Sequence, residues 1–151
     1  MMKDRLSRKA TGLVLALSAS WVLAGCGGGQ REQDPASLGP LYYYIAAQEA
    51  LAGDDLAAAQ KALQALAGQV EGSLKGPAET AATAGDIKAL RAAFKPLSEE
   101  FATVELPPGY ALAYCPMADE DRGARWIQKK GEIANPYFGA SMLHCGVFKE
   151  E

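Results

Sequence analysis

The chain has 151 residues, 49% of them hydrophobic and 22% charged, with a formal charge of −3 at pH 7 and three cysteines against one histidine. That length suits one small domain with a modest core and argues against a multidomain enzyme. Past residue 25 there are 11 Lys and Arg against 17 Asp and Glu, a formal charge of −6 with no basic cluster, so the composition argues against nucleic acid as a partner.

Residues 1–25 read as an address. Lys3, Arg5, Arg8 and Lys9 face a single Asp4, and the apolar run from Thr11 to Ala24 follows. That run is long enough for a signal-peptide core but short of the roughly 20 residues that span a bilayer. Leu23-Ala24-Gly25-Cys26 resembles the bacterial lipobox. Small residues let the chain lie extended in a peptidase groove, and the Cys26 sulfur is the nucleophile that takes the lipid. The expectation is a lipoprotein anchored through Cys26 without a transmembrane helix. Gly27 and Gly28 carry no aspartate retention signal, which by the same resemblance favours the outer membrane, facing the periplasm.

Residues 26–40 then read as a lipidated cysteine with a flexible tether, GGGQREQDPASLGP, reaching about 20 Å as a random coil. From residue 41 to 151 one domain is expected, mainly α: a small up-down helical bundle with a C-terminal irregular, short-β segment. Leu41, Tyr44, Ile45 and Leu51 share a helical face that Gly53 stops, and Asp54 or Asp55 restarts the chain as an N-cap. Leu56, Ala59, Leu63, Leu66, Val70 and Leu74 recur at steps of three and four, which predicts a second, continuous helix. Gly76-Pro77 should interrupt before a short alanine-rich helix over residues 78–84. Gly85-Asp86 opens another helix carrying Ile87, Leu90, Phe94, Leu97 and Phe101, bent near Ala92 by Pro96 but in phase across it. The first hairpin looks superficially like a tetratricopeptide unit, yet no second copy follows, so a helix pair in a bundle is expected.

Beyond Leu106-Pro107-Pro108-Gly109 alanine thins out and Tyr, Trp, Gly, Pro, Cys and Met appear. Short strands are expected around Tyr110 to Tyr114 and Arg125 to Gln128, joined by the turn-like Asp119 to Gly123. Asp119-Glu120-Asp121 lacks the spacing of a calcium loop and reads as a solvated turn. Trp126 reads as core. Asn135-Pro136-Tyr137-Phe138-Gly139 reads as an architectural turn, with two aromatic anchors and a glycine at positive φ.

If Cys26 carries lipid, Cys115 and Cys145 are two thiols in an oxidising compartment. Cys115 and Met117 form one sulfur cluster; Met142, His144 and Cys145 form the other. Thiolate and thioether donors select Cu(I) or Ag(I), and imidazole is an acceptable further donor. Met142 and Cys145, three apart, would share one side of a helical turn. Equally, a Cys115 to Cys145 disulfide would close a loop of about 30 residues and stabilise the fold by roughly 3 to 4 kcal/mol, with Met117 and Met142 as core fillers. One molecule cannot do both.

The elements Tyr114-Cys115-Pro116-Met117-Ala118, Trp126-Ile127-Gln128, Ile133, Asn135 to Gly139, Met142-Leu143 and Cys145-Gly146 resemble the DUF3347 family over about Tyr42 to Val147. That family is a periplasmic domain, alone in lipoproteins or C-terminal to adaptor subunits of copper- and silver-type heavy-metal efflux pumps. The Cys-Pro-Met element is also similar to the short metal-binding motif of copper ATPases, but Ala118-Asp119 stands here where that motif has His-Pro.

The resemblance implies a non-enzymatic lipoprotein that holds Cu(I) or Ag(I) through Cys115, Met117, Met142 and Cys145, with His144 as the least secure donor, and works beside efflux components. The alternative is a disulfide-stapled, metal-free envelope interaction module. No Cys-x-x-Cys pair and no serine triad points to catalysis.

Overall fold

The computed structural model describes residues 35–149. A single helical turn, α1 (Pro35–Leu38), precedes α2 (Pro40–Ala52) and α3 (Leu56–Ala67); a 3₁₀ turn at Gly72–Leu74 runs into α4 (Lys75–Ala82), and α5 (Ile87–Phe101) follows. Strand β1 (Tyr110–Cys115), a turn at Ala118–Asp121, β2 (Ala124–Lys129), a 3₁₀ turn at Gly139–Ser141 and β3 (Val147–Phe148) complete it. The fold is mainly α with a small antiparallel sheet at the C-terminal end. The lipobox-like Leu23 to Cys26 and the residues before Pro35 expected as a tether lie outside the described residues.

Helix ends follow the local chemistry closely. Asp55 caps α3 by accepting the Ala58 N–H at 2.9 Å, and Asp86 caps α5 by accepting the Ala89 N–H at 2.8 Å; each satisfies one of the N–H groups that a helix start leaves unpaired. Helix α5 runs on through Pro96, whose ring faces solvent.

Three boundaries differ from the periodicity reading. Helix begins at Pro35, inside the stretch expected as tether, because Pro35 and Pro40 each sit at a first-turn position where the missing N–H costs nothing. The second helix stops at Ala67, capped at Gly68; Val70 and Leu74 keep the apolar phase from outside it. The alanine-rich helix starts at Lys75 rather than 78, since Gly76 and Pro77 fall in its first turn, where neither breaks a backbone bond.

Consecutive helices pack on one another around Tyr44, Leu51, Leu63, Leu66, Leu90, Phe94 and Leu97, all fully buried. Each contributes about 1.5–3 kcal/mol by leaving water. The Tyr44 hydroxyl is paired with Ser98 at 2.8 Å and accepts the Ile127 N–H at 3.2 Å, so a helix side chain covers an outward N–H of β2. Burial holds that phenol protonated, well above its ordinary range. The Tyr137 hydroxyl donates to the Arg125 carbonyl at 2.7 Å on the same strand.

In the sheet, order β2-β1-β3, Ala111, Ala113 and Cys115 pair with Gln128, Trp126 and Ala124. Side chains alternate across a strand, so these six share one face while Tyr110, Leu112 and Ile127 share the other. The second set joins the helical core. From the first set Ala113, Cys115, Ala124 and Trp126, joined by Ala118, form a separate cluster against Ile133, Tyr137, Phe138, Cys145 and Phe148. Helices, sheet and a C-terminal cover therefore make three layers, and strand parity aims Cys115 at the cover.

Candidate functional site: a three-sulfur cluster between β1 and the C-terminal cover

Cys115 is fully buried at the last position of β1, and the chain leaves the sheet immediately through exposed Pro116 and Met117. The following turn places Asp119, Glu120 and Asp121 at φ 55°, 57° and 63°. Three successive left-handed residues with a Cβ are costly, about 1–2 kcal/mol each. They are held by Asp119, whose carboxylate pairs with Lys95 and, at 3.0 Å, with Arg122. The Lys95 hydrogen bond comes first among the causes that pull the Asp119 carboxyl below its usual range. The sequence pattern gave a turn here; its left-handed path is a finding of the structure.

Cys145 arrives from the other side of the cover. Asn135, fully buried, donates its Nδ2 to the Cys145 carbonyl at 2.7 Å, accepts the Tyr137 N–H on Oδ1 at 2.8 Å, and donates its backbone N–H to Leu143 at 2.7 Å. One side chain thus fixes both the turn it opens and the cysteine ten residues on. Gln128 is a second hub: its Oε1 accepts from Trp126 Nε1 at 2.9 Å and from Ala134 N–H at 3.0 Å, while its Nε2 donates to Glu132 at 2.7 Å. Gly139 takes φ 58°, the positive value expected, and a Cβ there would strike Asp54 and Arg91. Those two form an ion pair at 2.5 Å, with Arg91 also donating to the Pro136 and Leu51 carbonyls. Gly146 (φ 143°) lets the chain next to Cys145 approach Trp126; a Cβ would come within 2.8 Å of the indole and 3.0 Å of the Tyr114 carbonyl.

The result is a convergence of sulfur. The Cys115 and Cys145 Sγ atoms stand 2.7 Å apart as free thiols, and Cys145 points its S–H at Met117 Sδ 4.0 Å away. Cys115 is sealed in, Cys145 is partly exposed, and Met117 is 48% exposed, so the cluster opens to solvent along its Met117 side. The Cys145 thiol is pushed up to about 11, chiefly by its hydrogen bond with Cys115, then by burial and by charge on Cys115.

The remaining expected donors are placed elsewhere. Met142 has φ −149° and ψ 54°, outside the helical region expected for it. The 3₁₀ turn ends at Ser141, and a second turn follows at once, closed by the Cys145 N–H on the Met142 carbonyl at 3.1 Å. His144 is exposed with Nδ1 2.8 Å from the Ile133 carbonyl. Among the described residues no three His, Cys, Asp or Glu side chains gather as a metal-binding group, which separates His144 from the two thiols. Trp126 is fully buried, as expected of a core residue. Arg91 carries much of the positioning and was not singled out from the sequence, where Asp54 was read only as a possible N-cap and Gln128 only as part of a strand and a family-like element; a polar side chain's distant partner has no periodic signature.

Chemically, three sulfurs of soft character can hold one monovalent soft ion. With metal–sulfur bonds of about 2.3 Å, trigonal donors lie roughly 4 Å apart. The Cys145–Met117 separation of 4.0 Å already has that spacing; the Cys115–Cys145 separation of 2.7 Å does not and must widen. The same pair lies close to the spacing of a covalent disulfide.

Comparison with known proteins returned no match to a family model, a curated protein or a solved structure.

Proposed function

We propose that this chain is a non-enzymatic periplasmic lipoprotein, anchored through Cys26 to the outer membrane, that holds Cu(I) or Ag(I) in its reduced state for buffering or for delivery to heavy-metal efflux components. The observation that carries the reading is the meeting of Cys115, Cys145 and Met117 from two segments about 30 residues apart. The donor set proposed is Cys115, Met117 and Cys145, the three sulfurs that stand together, without Met142 and His144. The membrane address rests on the signal-like residues 1–25 and the lipobox-like Leu23 to Cys26, and the efflux setting on the resemblance to the DUF3347 family. The test is competition between reduced protein and a chromophoric Cu(I) chelator. One equivalent of Cu(I) should pass to the protein, and failure to compete with a weak chelator sinks the reading.

A second reading is favoured by one distance. Thiols 2.7 Å apart are placed to oxidise, giving a disulfide-stapled, metal-free module that docks on another envelope protein. Thiol counting on protein taken directly from the periplasm separates the two: complete oxidation, with no gain of metal after reduction, supports the staple.

A further inference from the structure

The two cysteines are not equivalent, and their difference sets the direction in which the pair can react. Cys115 is fully buried at the end of β1, beneath Ala113, Ala118, Ala124 and Trp126 of the same cluster. Cys145 lies in the cover, partly exposed, with its S–H facing Met117 at the solvent-exposed edge. An incoming sulfur must approach in line with the bond it attacks, and only Cys145 presents such an approach.

From this asymmetry we infer that the soft-ion site is gated by thiol–disulfide exchange that enters at Cys145, with Cys115 as the resolving thiol. The inference rests on the proposed metal reading only in that closing the Cys115–Cys145 bond removes two of the three donors and expels the ion. The exchange itself stands on burial and distance. In the oxidising direction the Cys145 thiolate attacks an external disulfide, forming a mixed disulfide and releasing one thiolate. The Cys115 thiolate, 2.7 Å away, then attacks the Cys145 sulfur, forming the internal bond and releasing the second. Two electrons pass from the pair to the external disulfide, and the two thiol protons end on the two released thiols. Reduction runs the same path backwards, with the reductant attacking Cys145 and Cys115 leaving first.

Oxidised glutathione is the probe. In reduced wild-type protein, acid quenching followed by peptide mass mapping should find the transient glutathione adduct on Cys145 and none on Cys115. Cys115→Ser should accumulate a stable adduct, since its resolving thiol is gone. Cys145→Ser should react at least tenfold more slowly until denatured. Because a buried serine can unfold the domain, Cys115→Ala and brief iodoacetamide labelling of the wild type provide the same comparison; Cys145 should label at least tenfold faster. Equal rates at the two cysteines, or an adduct on Cys115, overturn the inference. A parallel arm with one equivalent of Ag(I) tests the other reading separately. If the asymmetry persists but Ag(I) gives no protection, the metal reading falls and the exchange through Cys145 stands. If Ag(I) protects both thiols while the apo rates are equal, the gate falls and the metal reading stands.

Discussion

Asn135→Ala is the most informative single change, because this side chain ties the cover to the cysteine it carries. Asn135 is fully buried, with Nδ2 on the Cys145 carbonyl at 2.7 Å and Oδ1 on the Tyr137 N–H at 2.8 Å. Alanine leaves both backbone groups without those partners. Each buried group left unpaired costs about 1–3 kcal/mol. The Cys145 carbonyl lies nearer the surface, where water replaces part of the loss, so the sum falls at about 2–4 kcal/mol. For a domain of this size that lowers Tm by roughly 10 °C. Urea unfolding of reduced protein, followed by tryptophan fluorescence, gives the number. Asn135→Asp sharpens the test: it keeps an acceptor for Tyr137 but turns an oxygen toward the Cys145 carbonyl, so it should be unstable at neutral pH. It should regain stability in mild acid, where the protonated carboxyl donates again. An alanine variant within about 0.5 kcal/mol of wild type, the range of ordinary surface changes, refutes the clamp.

Closing the Cys115–Cys145 bond across about 30 residues should raise stability by roughly 3 to 4 kcal/mol on the chain-entropy model, read as the difference in urea unfolding between oxidised and reduced protein; no difference refutes it. Gly146→Ala should cost about 1–3 kcal/mol for its backbone conformation alone. It should also slow oxidation of the thiol pair, because a Cβ there meets Trp126 and the Tyr114 carbonyl; oxidation at the wild-type rate argues against it. The Cys145 thiol has a folded value raised from about 9 to about 11, so the neutral form is the one folding favours. That contribution is whole below about pH 9 and is lost as pH rises through about 11, and a reduced protein equally stable at pH 8 and pH 11 contradicts it. Asp54 and Asp119 are shifted the other way, Asp54 first by the Ala140 N–H and then by Arg91, Asp119 first by Lys95. Their contribution is present above about pH 4 and lost as pH falls through their lowered values, which acid unfolding of Asp54→Asn and Asp119→Asn would show as a flattened acid limb.

The helical half was readable because it repeats itself. Leu56, Ala59, Leu63 and Leu66, and Leu90, Phe94, Leu97 and Phe101, advertise their faces at steps of three and four, and nine of the twelve residues of β1 and β2 were expected in strands, Cys115, Ala124 and Lys129 being the exceptions. Helix ends were less legible: Pro35, Pro40 and Pro77 look like breakers until they fall in a first turn. Among the sulfur residues, Cys115, Met117 and Cys145 meet, and spacing suggested as much. Met142 was expected on the side of Cys145 from a helical spacing of three, but its own backbone is not helical. What no periodicity could convey is the polar framework around them. Asn135 reaches Cys145, Gln48 reaches the Ala134 carbonyl at 2.7 Å, and Asp54 reaches the Ala140 N–H at 2.9 Å. Such contacts join residues 10 to 86 positions apart and leave only a scatter of polar letters in the sequence.

The central claim is that Cys115, Cys145 and Met117 form one soft-ion site. X-ray absorption at the copper edge on reduced protein loaded with one equivalent of Cu(I) tests it most directly. A site made of these three residues gives a shell of three sulfurs with no nitrogen or oxygen, falling to two sulfurs in Met117→Leu and unchanged in Met142→Leu and His144→Ala. A shell containing nitrogen, one that depends on Met142, or protein that takes up no copper would contradict it.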